Sequence, residues 1–465
     1  MHLVDDSQSD LVGSVDELVA FFTSAGKPRA EWRVGTEHEL IGVRTRGAIG
    51  SAPGYEGDDG IQALLAALAA RGGAPVWSPV LEGGHVIALS AGDEQITIEP
   101  GGQFELAGRP VASTREFAAD LERYIAELGA LSAPLGIAWL RSGFRPFGRI
   151  GDVPWMPKQR YAVMRDYMPT VGGRGLEMML RTATVQTNLD YGDAADAAAK
   201  LRCIMSVSSI MTAIWANSPI VDGAVSGFQS YRAWIWRDTD NARAGLLRFA
   251  FADGDVFRAY TEWALDVPMY FVYRGGYVPA HGATFRAFLR DGFAGPQGHT
   301  RATVADWALH LSTLFPEARL KKFLEVRGCD CGSLEMIVAL GPFTRALLYD
   351  ETARRAATAL TAGLSLAERD ALADDVPRLG FRATAGAHGR RVGDLARELV
   401  DIVCDGLRRE APEELPYLDV VRAIVASGRT QADETIELWR RTGGEPARVI
   451  AELAHPGLDG SAARQ

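Results

Sequence analysis

Glu37 and Glu39 stand two residues apart in the segment EWRVGTEHEL, whose alternation reads as a β-strand. Successive side chains of a strand point to opposite faces. Trp32, Val34, Thr36, His38 and Leu40 therefore share one face, and Arg33, Gly35, Glu37 and Glu39 the other. The pattern repeats in QITIEPGGQFEL, where Ile96 and Ile98 oppose Thr97 and Glu99, and where Gln103 and Glu105 share a face beyond the Pro100-Gly101-Gly102 bend. RTATVQTNLD sets Thr182, Thr184, Gln186 and Asn188 against Ala183, Val185, Thr187 and Leu189. RLKKFLEVRG, read as one strand, sets Lys321, Phe323, Glu325 and Arg327 against Lys322, Leu324 and Val326. Segments of this kind suit an antiparallel sheet with one hydrogen-bonding face.

An ordinary solvated face mixes Lys with Glu. Glu37, Glu39, Glu99 and Glu105 are acid-only and flanked by glycine and proline, which weaken a strand. If they converge, mutual repulsion raises their pKa values unless cations neutralise them. Hard divalent ions are the expected solution, Mg²⁺ or Mn²⁺, because such an ion takes a few carboxylates and completes its shell with water and phosphate oxygens. His38, on the opposite face, reads as a packed, hydrogen-bonded histidine. No other histidine has metal-ligand spacing, and Cys329 and Cys331 read as two thiols in a Gly-rich turn, so a zinc hydrolase is disfavoured.

The balance of 49 Lys and Arg against 59 Asp and Glu gives a net charge of −10, which argues against general attraction to nucleic acid or an anionic membrane. The acidic start MHLVDDSQSD resembles neither a secretory signal nor a transit peptide, so a cytoplasmic protein is expected. The uncharged stretch from Cys203 to Val221 is too polar for a membrane span and reads as a buried helix ending near Asn217. Four cysteines in 465 residues build no disulfide framework.

Helices are expected after a Ser14 cap, over IQALLAALAA, and from Ser113 to Leu131, where Phe117, Leu121, Ile125 and Leu128 fall on one stripe. From about Ala339 the chain reads as almost wholly helical. The organisation expected is a catalytic core over residues 1–338 and a helical C-terminal region over residues 339–465, possible as one domain, ending in a frayed tail. No P-loop or dinucleotide-binding glycine pattern occurs, so any bound ATP must rely on metals and arginines.

GTEHE, EPGGQFEL, PKQRYAVMRDYMP, LEMMLRTATVQTNLD, ANSP, the WRDTD stretch at 236–240, ALDVPMYFVYR, TFRAFL, LFPEARLKKFLEVRG and ALLYD follow one another in order over residues 31–350. Together they resemble the glutamate–cysteine ligases of the plant and proteobacterial type. The resemblance implies an α+β, glutamine-synthetase-like fold, in which an antiparallel sheet forms a funnel-shaped active site surrounded by helices. It implies ATP- and Mg²⁺-dependent phosphorylation of the γ-carboxylate of glutamate, followed by attack of the amine of cysteine. On that footing Glu37, Glu39, Glu99, Glu105 and Glu325 are the metal ligands, Glu37 and Arg327 the catalytic residues, and Arg327 and Lys321 the contacts to nucleotide phosphates. Arg232, Arg165, Lys158, Tyr161, Gln186, Asn188, Tyr270 and Tyr273 are the substrate-binding candidates.

Two departures accompany the resemblance. No cysteine stands where plant members carry regulatory pairs; PAHGATF offers Ala280 and His281 instead, so redox switching of that kind is not expected. After LEVRG the plant-like pattern Ala-Asp-Gly-Gly-Pro-Trp is replaced by Cys329, Asp330, Cys331, Gly332, Ser333 and Leu334. This leaves open the same chemistry with another amine acceptor, and more distantly a non-catalytic nucleotide and amino-acid sensor. The expected partners are small molecules (glutamate, an amine and ATP), with the chain acting as a monomer or homodimer.

Overall fold

A computed structural model describes residues 10–296, 298–386 and 389–460. The first nine residues and most of the tail expected to fray lie outside it. Its centre is a nine-stranded sheet whose paired strands all run antiparallel. The strands are β1 (Val34–Arg44), β2 (Ser78–Glu82), β3 (His85–Ala91), β4 (Glu94–Ile98), β5 (Phe104–Ala107), β6 (Ile137–Leu140), β7 (Thr184–Leu189), β8 (Ala318–Leu320) and β9 (Leu324–Asp330). Their order is β8-β9-β7-β1-β5-β4-β3-β2, with β6 pairing the far end of β1. β1 is the hub. Its first half pairs β5 on one side and β7 on the other, and residues 41–44 pair β6.

The helices begin where capping chemistry places them. Ser14 caps α1 (Val15–Thr23) by accepting from the Glu17 amide, and Ser113 caps α3 (Thr114–Ser132) through the Glu116 amide, each worth about 1 kcal/mol. α2 (Ile61–Ala70) buries Ile61, Leu64, Leu65 and Leu68. α4 (Gln159–Tyr167) lies near the acid-bearing end of β4, α5 (Ala194–Ile214) packs against β9, and the short α6 (Tyr231–Trp236) starts from Ser230. The uncharged stretch starting at Cys203 thus forms the second half of α5. That helix is long and apolar enough to cross a membrane by length and composition, but 78% of its apolar window is buried inside the protein.

α7 (Leu334–Tyr349) packs on β1 and β7, and α8 (Val392–Glu410) packs on α7. The boundary expected between residues 338 and 339 therefore falls inside a helix that touches both parts. Leu40, Ile41, Val185, Leu189 and Leu324 from the sheet and Leu340, Leu347, Leu399 and Val403 from these helices are all fully buried in one contiguous apolar cluster. Each such side chain contributes about 1.5–3 kcal/mol relative to exposure. Val34, Thr36, His38 and Leu40 of β1 are buried on one face, which leaves Glu37 and Glu39 on the other.

RLKKFLEVRG is corrected by the structure. It is a hairpin, with Lys321 donating its amide to the Phe323 carbonyl at 2.8 Å between β8 and β9. Lys321 sits in the turn, and Arg319 of β8 is the residue opposite Glu325.

Candidate active site

Alternation along β1 places Glu37 and Glu39 on the half-buried face, with His38 fully buried behind them. Asn188 of β7 donates to Glu37 Oε1 at 2.6 Å, and the Thr184 amide donates to Glu39 Oε2 at 3.0 Å. Glu105 stands opposite Glu39 in the β1–β5 register and accepts from Thr97 Oγ1 at 2.7 Å. Burial pushes the Glu37 carboxyl up, with Glu325 and Glu105 adding repulsion. Burial also holds Glu39 well above the usual carboxylate range, reinforced by Glu105 and Glu99, and raises Glu105, reinforced by Glu99.

The bend between Glu99 and Glu105 needs its glycines. A Cβ on Gly101 would come within 2.1 Å of the Leu180 carbonyl oxygen, and Gly102 has φ of 79°. Gln103 leaves the acid-bearing face: it is buried, accepts from the Gly101 amide, and donates to the Met179 and Thr182 carbonyls. Tyr161 of α4 donates to the Ile98 carbonyl at 2.7 Å and lies 3.4 Å from Glu99 Oε1. The Lys158 ammonium lies over the Tyr161 ring; burial lowers its pKa, opposed by Glu99 and Glu105.

Glu325 differs from the other acids. Its oxygens accept from Arg319 Nη2 at 3.0 Å, Lys321 Nζ at 3.0 Å and Arg327 Nη1 at 2.6 Å, and Arg319 Nε pairs with it at 2.7 Å. Burial alone would raise its pKa, but these three cations outweigh burial and hold the carboxyl well below the usual range. Arg327 also donates to Gln186 Oε1. It can do both because the β7–β9 register slips between Val326 and Cys329, so that Arg327 and Gly328 bulge opposite Gln186 alone.

Arg232 is the second residue of α6 and is 3% exposed. Its Nη2 donates to the Arg327 carbonyl at 2.9 Å, and its Nη1 lies 3.8 Å from Asp330 Oδ1. Asp330 is itself held by the Asn217 amide at 2.9 Å, Ser218 Oγ at 2.6 Å and Ser230 Oγ at 2.9 Å. A chain of hydrogen bonds thus runs from Glu39 through Thr184, whose hydroxyl reaches the Arg327 carbonyl at 3.2 Å, to Arg232, which faces Asp330 as an ion pair.

Glu37, Glu39, Glu99, Glu105, Glu325, Lys158, Tyr161, Gln186, Asn188, Lys321, Arg327 and Arg232 are brought together by these bonds and charge interactions. Three candidates are not. Arg165 lies over the Trp155 ring and 3.5 Å from Asp166, with its side chain 48% exposed. Tyr270 is a core residue, its hydroxyl on Met168 Sδ and Arg243 stacked on its ring. Tyr273 pairs with the Tyr277 ring. His38 packs edge-on against Tyr124 as expected, but among the described residues neither ring nitrogen has a hydrogen-bond partner, and burial lowers its pKa to about 4. The four cysteines are all free and buried.

Sequence reading missed Arg319, and Asp330 with Ser218 and Ser230. Arg319 hides beyond a turn that alternation did not detect, and nothing in the serines' local sequence marks them as partners of a distant aspartate.

Among the described residues no three carboxylate, thiol or imidazole groups form a ready-made metal cage. The donor set nevertheless fits a hard divalent ion: Glu39 and Glu105 are opposed carboxylates with no ion pair to either among the described residues, and Mg²⁺ commonly takes one or two protein carboxylates with substrate phosphates and water. Glu325, already neutralised by three cations, fits a metal less well than the other four.

The profile of glutamate-cysteine ligase family 2 matches residues 33–452 of this chain. The chloroplastic glutamate–cysteine ligase of Brassica juncea is 40% identical over 442 residues, covering 95% of this chain and 84% of its own length. Chloroplastic ligase A of Oryza sativa subsp. japonica is 40% identical over 434 residues, covering 92% and 86%. A crystal structure of a glutamate–cysteine ligase from Francisella tularensis in complex with AMP superposes with a TM-score of 0.55 at 12% identity, covering 93% of this chain and 89% of that one, and shows the same fold. The cytoplasmic placement expected from the N-terminus is corrected by these relatives, whose names are chloroplastic. An acidic start is no guide to compartment.

Proposed function

Because this chain belongs to glutamate-cysteine ligase family 2 and is a ligase, we propose that it joins the γ-carboxylate of glutamate to the amine of cysteine at the expense of ATP, by way of a γ-glutamyl phosphate. Such a reaction is the glutamate–cysteine step of glutathione synthesis. A carboxylate is a poor electrophile, and phosphorylation turns one of its oxygens into a leaving group. Phosphoryl transfer asks the protein mainly to hold the partners in line and to neutralise charge.

The observation that carries this reading is the division of the site into two charge environments. Glu37, Glu39, Glu99 and Glu105 form an acid group with no ion pair to it among the described residues, and beside it Arg319, Lys321 and Arg327 surround Glu325. On this reading the first group holds Mg²⁺ or Mn²⁺, which when bound supplies charge neutralisation to the β- and γ-phosphates. Arg327, anchored on Glu325 and Gln186, donates to the transferring phosphoryl group. Lys321 adds positive charge beside it. Arg232 receives an amino-acid carboxylate, for which its planar fork is suited. Lys158 and Tyr161 fix the Glu99 side of the bend.

Release of ADP with glutamate and Mg²⁺ against a panel of amines tests the proposal. Cysteine-stimulated turnover with a γ-linked dipeptide as product is expected. Stimulation by another amine alone would replace cysteine as the acceptor, and absence of ADP release with every amine would refute the ligase reading of the site.

A further inference from the structure

Glu317 is the residue before β8. Arg319 faces Glu325 across the β8–β9 hairpin, and one step further the Arg327 amide donates to the Glu317 carbonyl at 3.1 Å. Glu317 and Arg327 are thus backbone neighbours in the next rung. Their side chains form no ion pair, because Arg327 turns to Glu325 and Gln186. The Glu317 carboxylate lies against the bulge instead: a Cβ on Gly328 would come within 2.7 Å of its Oε2.

The charged groups facing Glu317 are Arg232, Arg237 and Arg327. Each has another partner: Arg232 the Arg327 carbonyl and Asp330, Arg237 the Asp374 carboxylate, and Arg327 Glu325. Among the described residues the Glu317 carboxylate accepts no hydrogen bond, although the residue is only half-buried. Burial raises its pKa against the pull of the arginines. A carboxylate held this way has cations near it but no donor bonded to it among the described residues, as buried charges normally have.

Arg232 has five N–H donors, gives one to a backbone carbonyl and turns another nitrogen towards Asp330, which still leaves donors for a ligand. A guanidinium with spare donors beside an unpaired carboxylate is the complement of a molecule that carries a carboxylate and an ammonium on one carbon. We propose that Arg232 and Glu317 form one subsite for an α-amino-acid zwitterion, Arg232 taking the α-carboxylate and Glu317 the α-ammonium. The proposal rests on the reading of Arg232 as an amino-acid contact. Both substrates of the proposed reaction have this chemistry, and the test separates them.

The full-length enzyme and its Glu317→Gln and Glu317→Asp variants are assayed with glutamate, with glutarate, which lacks the α-ammonium, and with varied cysteine. The KM for ATP and the melting temperature serve as controls. If the subsite holds the donor, wild-type preference for glutamate over glutarate collapses by about tenfold or more in Glu317→Gln while the KM for cysteine is kept. If it holds the acceptor, the KM for cysteine rises by about tenfold and that for glutamate is kept. Either result supports the subsite, with Glu317→Asp losing less because it keeps the charge. A Glu317→Gln enzyme with unchanged selectivity and unchanged KM values overturns it. Arg232→Lys is measured in parallel: if it leaves both amino-acid KM values unchanged, the underlying reading of Arg232 fails, whatever Glu317 does.

Discussion

Glu39 of β1 and Glu105 of β5 are direct cross-strand partners, so two carboxylates face each other across one rung of the sheet. Like charges in this position destabilise a sheet by up to about 1 kcal/mol, and desolvation adds to the cost of ionising both. Glu105→Gln keeps an acceptor for Thr97 and removes the repulsion. Without divalent ions this variant is expected to melt at a slightly higher temperature than wild type, to lose most of the stabilisation that added Mg²⁺ gives, and to turn over several orders of magnitude more slowly. Thermal melts with and without Mg²⁺ check the first two effects.

Glu325→Gln is expected to do the reverse. Glu325 is the shared counter-ion of Arg319, Lys321 and Arg327 and is fully buried. Removing one member of such a buried ionic group costs about 3–5 kcal/mol, because the remaining charges lose their compensation. Denaturant unfolding should show this loss whether or not Mg²⁺ is present.

The contrast between these two acids marks how far the sequence could be read. Alternation in β1 and β7 correctly oriented Glu37, Glu39, Thr184, Gln186 and Asn188, because a period of two survives in a strand that packs on one side. Alternation also set Lys321 and Arg327 on the face of Glu325, but the resemblance still grouped Glu325 with Glu105 as a metal ligand; the third cation, Arg319, was hidden because it reaches Glu325 only where the chain turns at Lys321–Phe323. Tyr270 and Arg165 were indistinguishable in sequence from pocket residues: one is sealed in the core by Arg243 and Met168, the other faces solvent. Asp330 was passed over for the cysteines on either side of it.

Asp330→Asn should expose a positioning role. The aspartate gathers the Asn217 amide, Ser218 and Ser230 and faces the Arg232 guanidinium, so it fixes where that guanidinium lies. The expected outcome is a rise of about tenfold in KM for one amino-acid substrate with the KM for ATP unchanged. A uniform fall in kcat with both KM values kept would instead indicate a general loss of folded enzyme.

His310 and His455 set an acid limit on stability. Burial lowers the pKa of each to about 3 from an ordinary value of 6.5. Their contribution is fully present above pH 6.5 and is lost as pH falls below it, since the unfolded chain then binds protons that the folded chain refuses. The loss is about 1.4 kcal/mol per histidine for each pH unit below the unfolded value. Glu37, Glu39 and Glu105, raised in the fold, act in the opposite direction. Comparing wild type with His455→Leu isolates one histidine: the variant's stability should fall less between neutral and mildly acid pH, by about that amount per unit.

The most direct measurement is the fate of the γ-carboxylate oxygens. Glutamate carrying heavy oxygen in that carboxylate is turned over with cysteine, ATP and Mg²⁺, and the released phosphate is analysed by mass spectrometry. The account predicts ADP and inorganic phosphate as products, with one labelled oxygen in each phosphate, because the carboxylate oxygen leaves with the phosphoryl group. Unlabelled phosphate, or release of AMP and pyrophosphate with the label in AMP, would contradict it.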